Sequence, residues 1–425
     1  MFVVLHVERP VAWAQSGNQI LEWNQIFVDT LIATSTPNSF SQRLGAIVHT
    51  AIFDAFNGID RRYTPLFVES GAPRHASRRA AVVAAAYTTL VGLFPSQQAV
   101  LDSRYDASLS MMRQRCRTRD QSHTSRQACI ARLDRGVTWG VDVAQTVLAW
   151  RATDGFLASY PSFTGGTSVG QWRPTPPALG AMSAQALAFT AMFVVPTNTV
   201  FQPPPPRSLG SAIYTDDFNA VKAMGRATGS VRTVDQSALA VFWEGNASVH
   251  WNQAANQMAS TNHLSMRASN RLLALLNIAM ADTAFTIWSA KRFYGSSPLE
   301  VTWRPVTSIP LAAIDGNPDT APDADWLPLV TTPSHPEYPA GHPSLNGAAA
   351  TVLLAYFRHR QQSFTLTTTG QPNRTYHSIA TARSDGNRAR VWGGMHYPST
   401  VKISDGVGAQ IADYVDRHAM QLRRR

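Results

Sequence analysis

Apolar residues recur at three- and four-residue spacing along most of this chain. Across residues 20–59 the run Leu44, Ile47, Val48, Ile52, Phe53 and Phe56 marks one buried helix face, with Ser39 or Ser41 as its expected cap. A second helix is predicted over residues 78–93; it stops at Phe94-Pro95 and resumes over 101–112. Residues 127–152 form a third block. Later helices are expected at 216–225, 233–242, 252–258 and 270–291. The last of these keeps Leu272, Leu275, Leu276, Ile278, Ala279, Ala284 and Ile287 mostly on one broad face. A further helix follows Pro343, and a final one covers about residues 405–422. Helix packed on helix is the expected architecture.

The texture changes between residues 159 and 206. Trp172-Arg173-Pro174-Thr175-Pro176-Pro177 and Pro203-Pro204-Pro205-Pro206 remove backbone donors and favour an extended path, so this stretch reads as a long surface crossing or a linker. The expected organisation is a tail at 1–19, read as a remnant of an export signal or as disordered, and one helical domain at 20–425. That domain divides into an N-terminal half (20–158), a crossing (159–210) and a C-terminal half (211–425) that holds the chemistry. No solenoid repeat is present.

Composition sharpens this picture. Only 15% of the 425 residues are charged, against roughly 25% in ordinary soluble proteins, which implies much buried helix surface. No stretch reaches the ~20 uninterrupted apolar residues of a membrane span, so no span is expected. The net charge of +10 concentrates in residues 113–135 and in Arg423, Arg424 and Arg425. Without a nucleic-acid module that run is a solvated face, and nucleic acid is not expected as a partner. Cys116 and Cys129 form either a local disulfide or two inert thiols, and they lie too far from the histidine-rich segments for a zinc site. The apolar start followed by Ala12-Trp13-Ala14 would suit export to the periplasm or beyond, although Glu8, Arg9 and Pro10 interrupt it. A homo-oligomer is compatible with all of this.

Three segments, at residues 288–305, 335–347 and 390–396, gather cations, histidines and glycines beside helix ends. They supply Lys291, Arg304, His335, His342, Arg390 and His396. A tetrahedral oxyanion needs such a set: guanidinium forks, an ammonium and backbone N–H groups at a helix start. In Pro333-Ser334-His335-Pro336-Glu337-Tyr338-Pro339-Ala340-Gly341-His342-Pro343-Ser344 the prolines hold the chain extended, Gly341 admits a ligand to the backbone, and Pro343 suits a first helical turn. Each segment alone is also consistent with a proline-rich loop, a common Arg-Pro pair or a glycine hairpin. Their order is what carries information.

That order is a Trp-x-x-Lys helix end, a Trp-Arg-Pro segment, a Pro-x-Tyr-Pro-x-Gly-His loop and an Arg-x-x-Gly-Gly-x-His turn. It resembles the vanadium-dependent haloperoxidases, in particular their chloroperoxidase-like bacterial branch, within the superfamily shared with the type 2 phosphatidic acid phosphatases. Residues 23–60, Leu93-Phe94-Pro95-Ser96 and the proline-rich crossing are similar to the same branch. The resemblance implies an all-α fold of two packed helical bundles around one anion-binding pocket, with vanadate as cofactor and phosphate able to occupy the same place. Hydrogen peroxide, halide and a small organic acceptor are the implied partners. It further implies His396 as the vanadium ligand and His342 as the acid–base histidine. Lys291, Arg304 and Arg390 match the oxyanion cations, and Gly341 the backbone N–H donor. Trp288 matches the halide-side tryptophan, His335 stands where histidine typifies bromoperoxidases, and Glu244 stands for an aspartate paired with the second arginine.

Four departures qualify the likeness. Ala340 replaces a serine, removing a hydroxyl whose loss costs roughly 1–3 kcal/mol of anion binding. The Lys291-to-Arg304 gap is lengthened, with Gly295-Ser296-Ser297-Pro298 expected to bulge. Glu244 lengthens the acid arm, and Thr400 stands where the phosphatases carry an orienting aspartate. Three functions follow as expectations: a vanadate-dependent peroxidase favouring bromide or iodide, a phosphate monoester hydrolase working through a phosphohistidine, and a degenerate anion-binding helical protein.

Overall fold

The computed structural model describes residues 17–69, 71–119 and 122–423. The tail expected as a signal remnant lies almost wholly outside them, as do Arg424 and Arg425. The chain is built from helices α1 (Gln19–Ala33), α2 (Asn38–Asp60), α3 (Arg78–Leu93), α4 (Gln98–Arg119), α5 (His123–Ala152), α6 (Ala212–Met224), α7 (Val234–Phe242), α8 (Ala247–Thr261) and α9 (Met266–Ser296). After these come α10 (Pro305–Ser308), α11 (Gly341–Phe357), α12 (Ile379–Trp392) and α13 (Pro398–His418). A small antiparallel pair, β1 (Phe364–Leu366) and β2 (Arg374–Tyr376), was not foreseen from the sequence. The all-α expectation otherwise holds.

One set of helices packs α2, α3 and α5 together; the other packs α9, α11, α12 and α13, and α9 touches both sets. α9 is apolar on nearly every side because it lies in the middle: Leu272, Leu273, Leu275, Leu276 and Ile278 are all buried. It is long and apolar enough to cross a membrane, yet 94% of that stretch is buried inside the fold, as a core helix requires.

α11 and α13 approach closely because glycines face each other's backbone. A Cβ on Gly347 would stand 2.1 Å from the Asp405 carbonyl oxygen, and one on Gly408 1.8 Å from that of Ser344. This contact brings the N-terminal ends of both helices, and with them His342 and His396, toward one region.

Several helix boundaries differ from expectation for identifiable reasons. α2 begins at Asn38 behind Pro37, so Ser39 and Ser41 lie inside the helix; the Ser41 hydroxyl donates instead to Asn38 O and Asn246 Oδ1. α13 begins at Pro398, and the last predicted helix therefore starts about two turns too late in the sequence reading. Cys116 and Cys129 are joined as a disulfide between α4 and α5.

The crossing is anchored throughout rather than loose. Trp172 is fully buried, the Tyr294 hydroxyl donates to Pro203 O at 2.6 Å, and Asp282 of α9 accepts the N–H groups of Phe193, Val194 and Val195 at 2.7, 2.9 and 2.9 Å. Replacing Asp282 with alanine strands three donors, those of Phe193 and Val194 partly buried and that of Val195 buried, and urea unfolding should show a loss of at least about 3 kcal/mol. A loss under about 1 kcal/mol would mean that the crossing is held by its apolar contacts alone.

Candidate functional site

The site lies where four segments end. α9 contributes Trp288 and Lys291 from one face, three residues apart. Arg304 stands just before α10, and residues 335–340 run extended into α11. Arg390 ends α12, one glycine turn before His396. A cavity of about 190 Å³ is lined by Trp288, His335, Gly341, His342, Arg390 and His396, with Glu244, Met395, Pro333, Asn38, Ser39 and Ser183 completing its wall.

Arg304, fully buried, lies behind that wall and cross-links it. Its Nε donates to His335 O at 2.9 Å and its Nη1 to Met395 O at 2.8 Å. The same Nη1 stands 3.0 Å from His396 Nε2, and Nη2 stands 2.8 Å from His335 Nδ1. A guanidinium only donates, so both ring nitrogens accept. Pro336 O lies near the same Nδ1 at 3.3 Å, but the Arg304 contact is shorter at 2.8 Å and favours His335 with its proton on Nε2.

The Lys291 ammonium is buried one layer deeper and donates to the carbonyls of Pro336 and, at 3.2 Å, Glu337. The expected bulge after it is absent: α9 continues to Ser296, where the serine hydroxyl donates to Arg292 O at 2.6 Å. Lys291 still reaches the site region, because the helix runs past the loop that holds it rather than ending there. Arg390 donates to Trp243 O at 3.4 Å and contacts Met395 Sδ at 2.9 Å, while its buried Nε has no hydrogen-bond partner.

Glu244 departs from expectation. It lines the cavity but is exposed and forms no ion pair with Arg390 among the described residues. Partial desolvation raises its carboxyl above the usual carboxylate range, against a smaller pull downward from Arg390.

The residue that sequence reasoning missed is Glu337. It is buried, and its Oε1 lies 2.9 Å from His396 Nδ1 while accepting the Tyr397 N–H at 3.1 Å; its Oε2 accepts the Thr400 hydroxyl at 3.1 Å. The only available signal was a lone acid inside a proline-rich loop between two histidines.

Burial sets the protonation of the whole group. It drives His396, His335 and His342 well below the ordinary histidine range, helped by Arg304 and Lys291 at His396, by Lys291 and Arg304 at His335, and by Arg390 at His342. All three rings are neutral near pH 7. Burial also lowers Arg304 to about 9 and Arg390 to about 10, and takes Lys291 well down, while it raises Glu337 against the pull of Arg304. A concentration of desolvated cations with one buried carboxylate favours an incoming anion.

The donor set fits a tetrahedral oxyanion. Arg390 Nε is buried without a partner. α11 has no side-chain cap at Ala340, so no capping side chain competes for the N–H groups of Gly341 and His342. At Gly341 a Cβ would lie 3.5 Å from the Trp288 ring, in the space between two cavity-lining residues.

Residues 271–425 match the VCPO second helical-bundle domain family. Over that stretch the chain is similar to the second helical bundle of the vanadium haloperoxidases. Its fold is similar over nearly its whole length to that of a bacterial vanadium-dependent iodoperoxidase, with a TM-score of 0.74 at 20% identity, covering 96% of this chain and 98% of the other. A bacterial vanadium-dependent chloroperoxidase is similar in its holo form (TM-score 0.68, 18% identity, 89% of this chain and 92% of the other) and in its apo form (0.68, 18%, 89% and 93%). No curated protein sequence matches the chain.

Proposed function

We propose that this chain is a vanadate-dependent peroxidase that oxidises halide with hydrogen peroxide, bromide and iodide ahead of chloride. The observation that carries the reading is that two neutral histidines, His342 and His396, line one small cavity together with Arg390 and a helix start without a side-chain cap, with Arg304 and Lys291 directly behind.

His396 would hold the vanadium through Nε2, with Arg304 Nη1, now 3.0 Å from that lone pair, turning to an oxygen of the anion. Arg304, Arg390 and Lys291 would neutralise the anion's oxygens, and Gly341 would add its N–H. Bound vanadate supplies a Lewis-acid centre that activates hydrogen peroxide toward attack by halide. His342, neutral and 3.3 Å from Gly245 O through Nε2, is placed to accept a proton from incoming peroxide and return it to the product. The Trp288 ring, 5.3 Å from that of His335, lies beside it on the side where halide would arrive.

The halide order rests on His335 and Ala340. Arg304 leaves His335 with an Nε2–H donor, which wets a wall that a phenylalanine would keep dry. Ala340 withdraws a hydroxyl from the anion. Both weaken polarisation, and chloride is the hardest of the three halides to oxidise. Steady-state rates at saturating peroxide should rank iodide and bromide above chloride; equal turnover of chloride and bromide would refute the argument from His335.

A second reading, phosphate monoester hydrolysis, is favoured by one observation: a carboxylate engages His396 Nδ1 although Thr400 cannot supply one. His396 Nε2 would form the bond to phosphorus as the ester oxygen leaves with a proton that His342 takes from the incoming ester monoanion, and water would then cleave the phosphohistidine to free phosphate. The test is bromide oxidation by purified apo-protein before and after orthovanadate is added, with a phosphate ester run alongside. Bromide oxidation appearing only with orthovanadate supports the peroxidase. Ester hydrolysis alone would favour the phosphatase, and silence in both would leave an anion-binding protein without chemistry.

A further inference from the structure

We infer that Glu337 is a positioning residue that locks His396 in the tautomer whose Nε2 lone pair is presented to the anion pocket. This rests on the reading of His396 as the ligand.

The two nitrogens of the His396 ring are constrained by contacts that are independent of each other. At Nδ1 the partner is Glu337 Oε1, at 2.9 Å. That oxygen also receives the Tyr397 N–H at 3.1 Å and its twin the Thr400 hydroxyl at 3.1 Å, the pattern of an ionised carboxylate; an ionised Oε1 has no hydrogen to give, so Nδ1 carries it. At Nε2 the partner is Arg304 Nη1, at 3.0 Å. A guanidinium cannot accept, so Nε2 must be bare. The two deductions, one from each end of the ring, give the same tautomer.

The carboxylate is itself held. Thr400 donates to Oε2 at 3.1 Å from the first turn of α13, Lys291 binds the Glu337 carbonyl at 3.2 Å, and the neighbouring Tyr338 hydroxyl donates to Pro204 O. The loop before α11 and the turn before α13 are therefore tied together through one side chain. Thr400 occupies the position of the phosphatases' orienting aspartate, and here it grips the orienting carboxylate instead of providing it. Removing Glu337 would leave Nδ1 without an acceptor in a dry site, and the ring would be free to turn or to place its proton on Nε2.

The decisive measurement is the ring ¹⁵N spectrum of His396 in ¹⁵N-histidine-labelled apo-protein, assigned by the signal lost in His396→Gln. A protonated Nδ1 and a bare Nε2 in the wild type are expected, with Glu337→Ala shifting the ring to a mixture or to the opposite tautomer and Glu337→Gln, whose amide oxygen still accepts from Nδ1, restoring it. In parallel, calorimetric titration of orthovanadate should show Glu337→Ala binding weaker by about 10- to 100-fold, and at saturating orthovanadate kcat for bromide should fall with KM for bromide unchanged. A wild-type ring protonated at Nε2 would overturn the inference even if the variant failed to fold. So would a folded Glu337→Ala with the wild-type tautomer and affinity. A wild type that binds no orthovanadate would instead sink the peroxidase reading, and the apo spectrum would still decide the role of Glu337.

Discussion

Replacing His396 with alanine should abolish measurable orthovanadate binding while the protein stays folded. Among the described residues, the His396 imidazole is the one uncharged group at the cavity whose other ring nitrogen is committed to a carboxylate. Its loss removes a bond to the metal rather than one hydrogen bond among several. We expect affinity to fall by roughly a thousandfold or more, equivalent to about 4 kcal/mol, and bromide oxidation to fall with it. The fold should survive because Arg304 keeps its bonds to Met395 O and His335 O, and Glu337 keeps those to Tyr397 and Thr400. Calorimetry with orthovanadate, alongside near-ultraviolet circular dichroism, checks both halves. Undiminished binding would place the ligand elsewhere.

Replacing Lys291 with alanine should cut kcat for bromide by about 10²- to 10³-fold, the usual effect of deleting one preorganised donor to a developing charge. Lys291 is fully buried and lies close enough to lower the pKa of both His335 and His396. Its field therefore reaches the pocket although the ammonium lies outside the cavity wall. KM for bromide should change little, since the halide meets Trp288 and His335 first. The Pro336 and Glu337 carbonyls lose a donor, and a stability loss of about 1–3 kcal/mol should accompany the change. Unaltered turnover would mean that Arg304 and Arg390 suffice.

The helices were legible because their signals are local. The break at Phe94-Pro95 ended α3 where expected, and Thr233 caps α7 with Gln236 in a reciprocal capping box. Where reading failed, a distant contact decided. Gly295 and Ser296 look like a bulge in isolation, yet Gly295 is buried between Pro336 and Phe163, and that packing keeps α9 helical to its end. The short β1–β2 pair leans on α8, where Gln257 and Gln253 bond the edges of residues 365 and 367; nothing in a three-residue strand announces that. In the site, the cations and histidines were visible as motifs because each sits beside a glycine or proline that marks a helix end. Glu337 was not visible, since its partner lies 59 residues away and linear spacing carries no trace of the pairing. The Glu244–Arg390 pair was expected from the family resemblance, and the acid is exposed instead, without an ion pair to Arg390 among the described residues.

The claim on which everything else depends is that one oxyanion is held between His396, Arg304, Arg390, Lys291 and Gly341. A crystal structure of the protein with orthovanadate added measures this directly. The expected result is a single vanadium bonded to His396 Nε2, its oxygens within hydrogen-bond reach of Arg390 and the Gly341 N–H, and His342 on the opposite side. Density for vanadate away from His396, or a cavity that stays empty at millimolar orthovanadate, would contradict it.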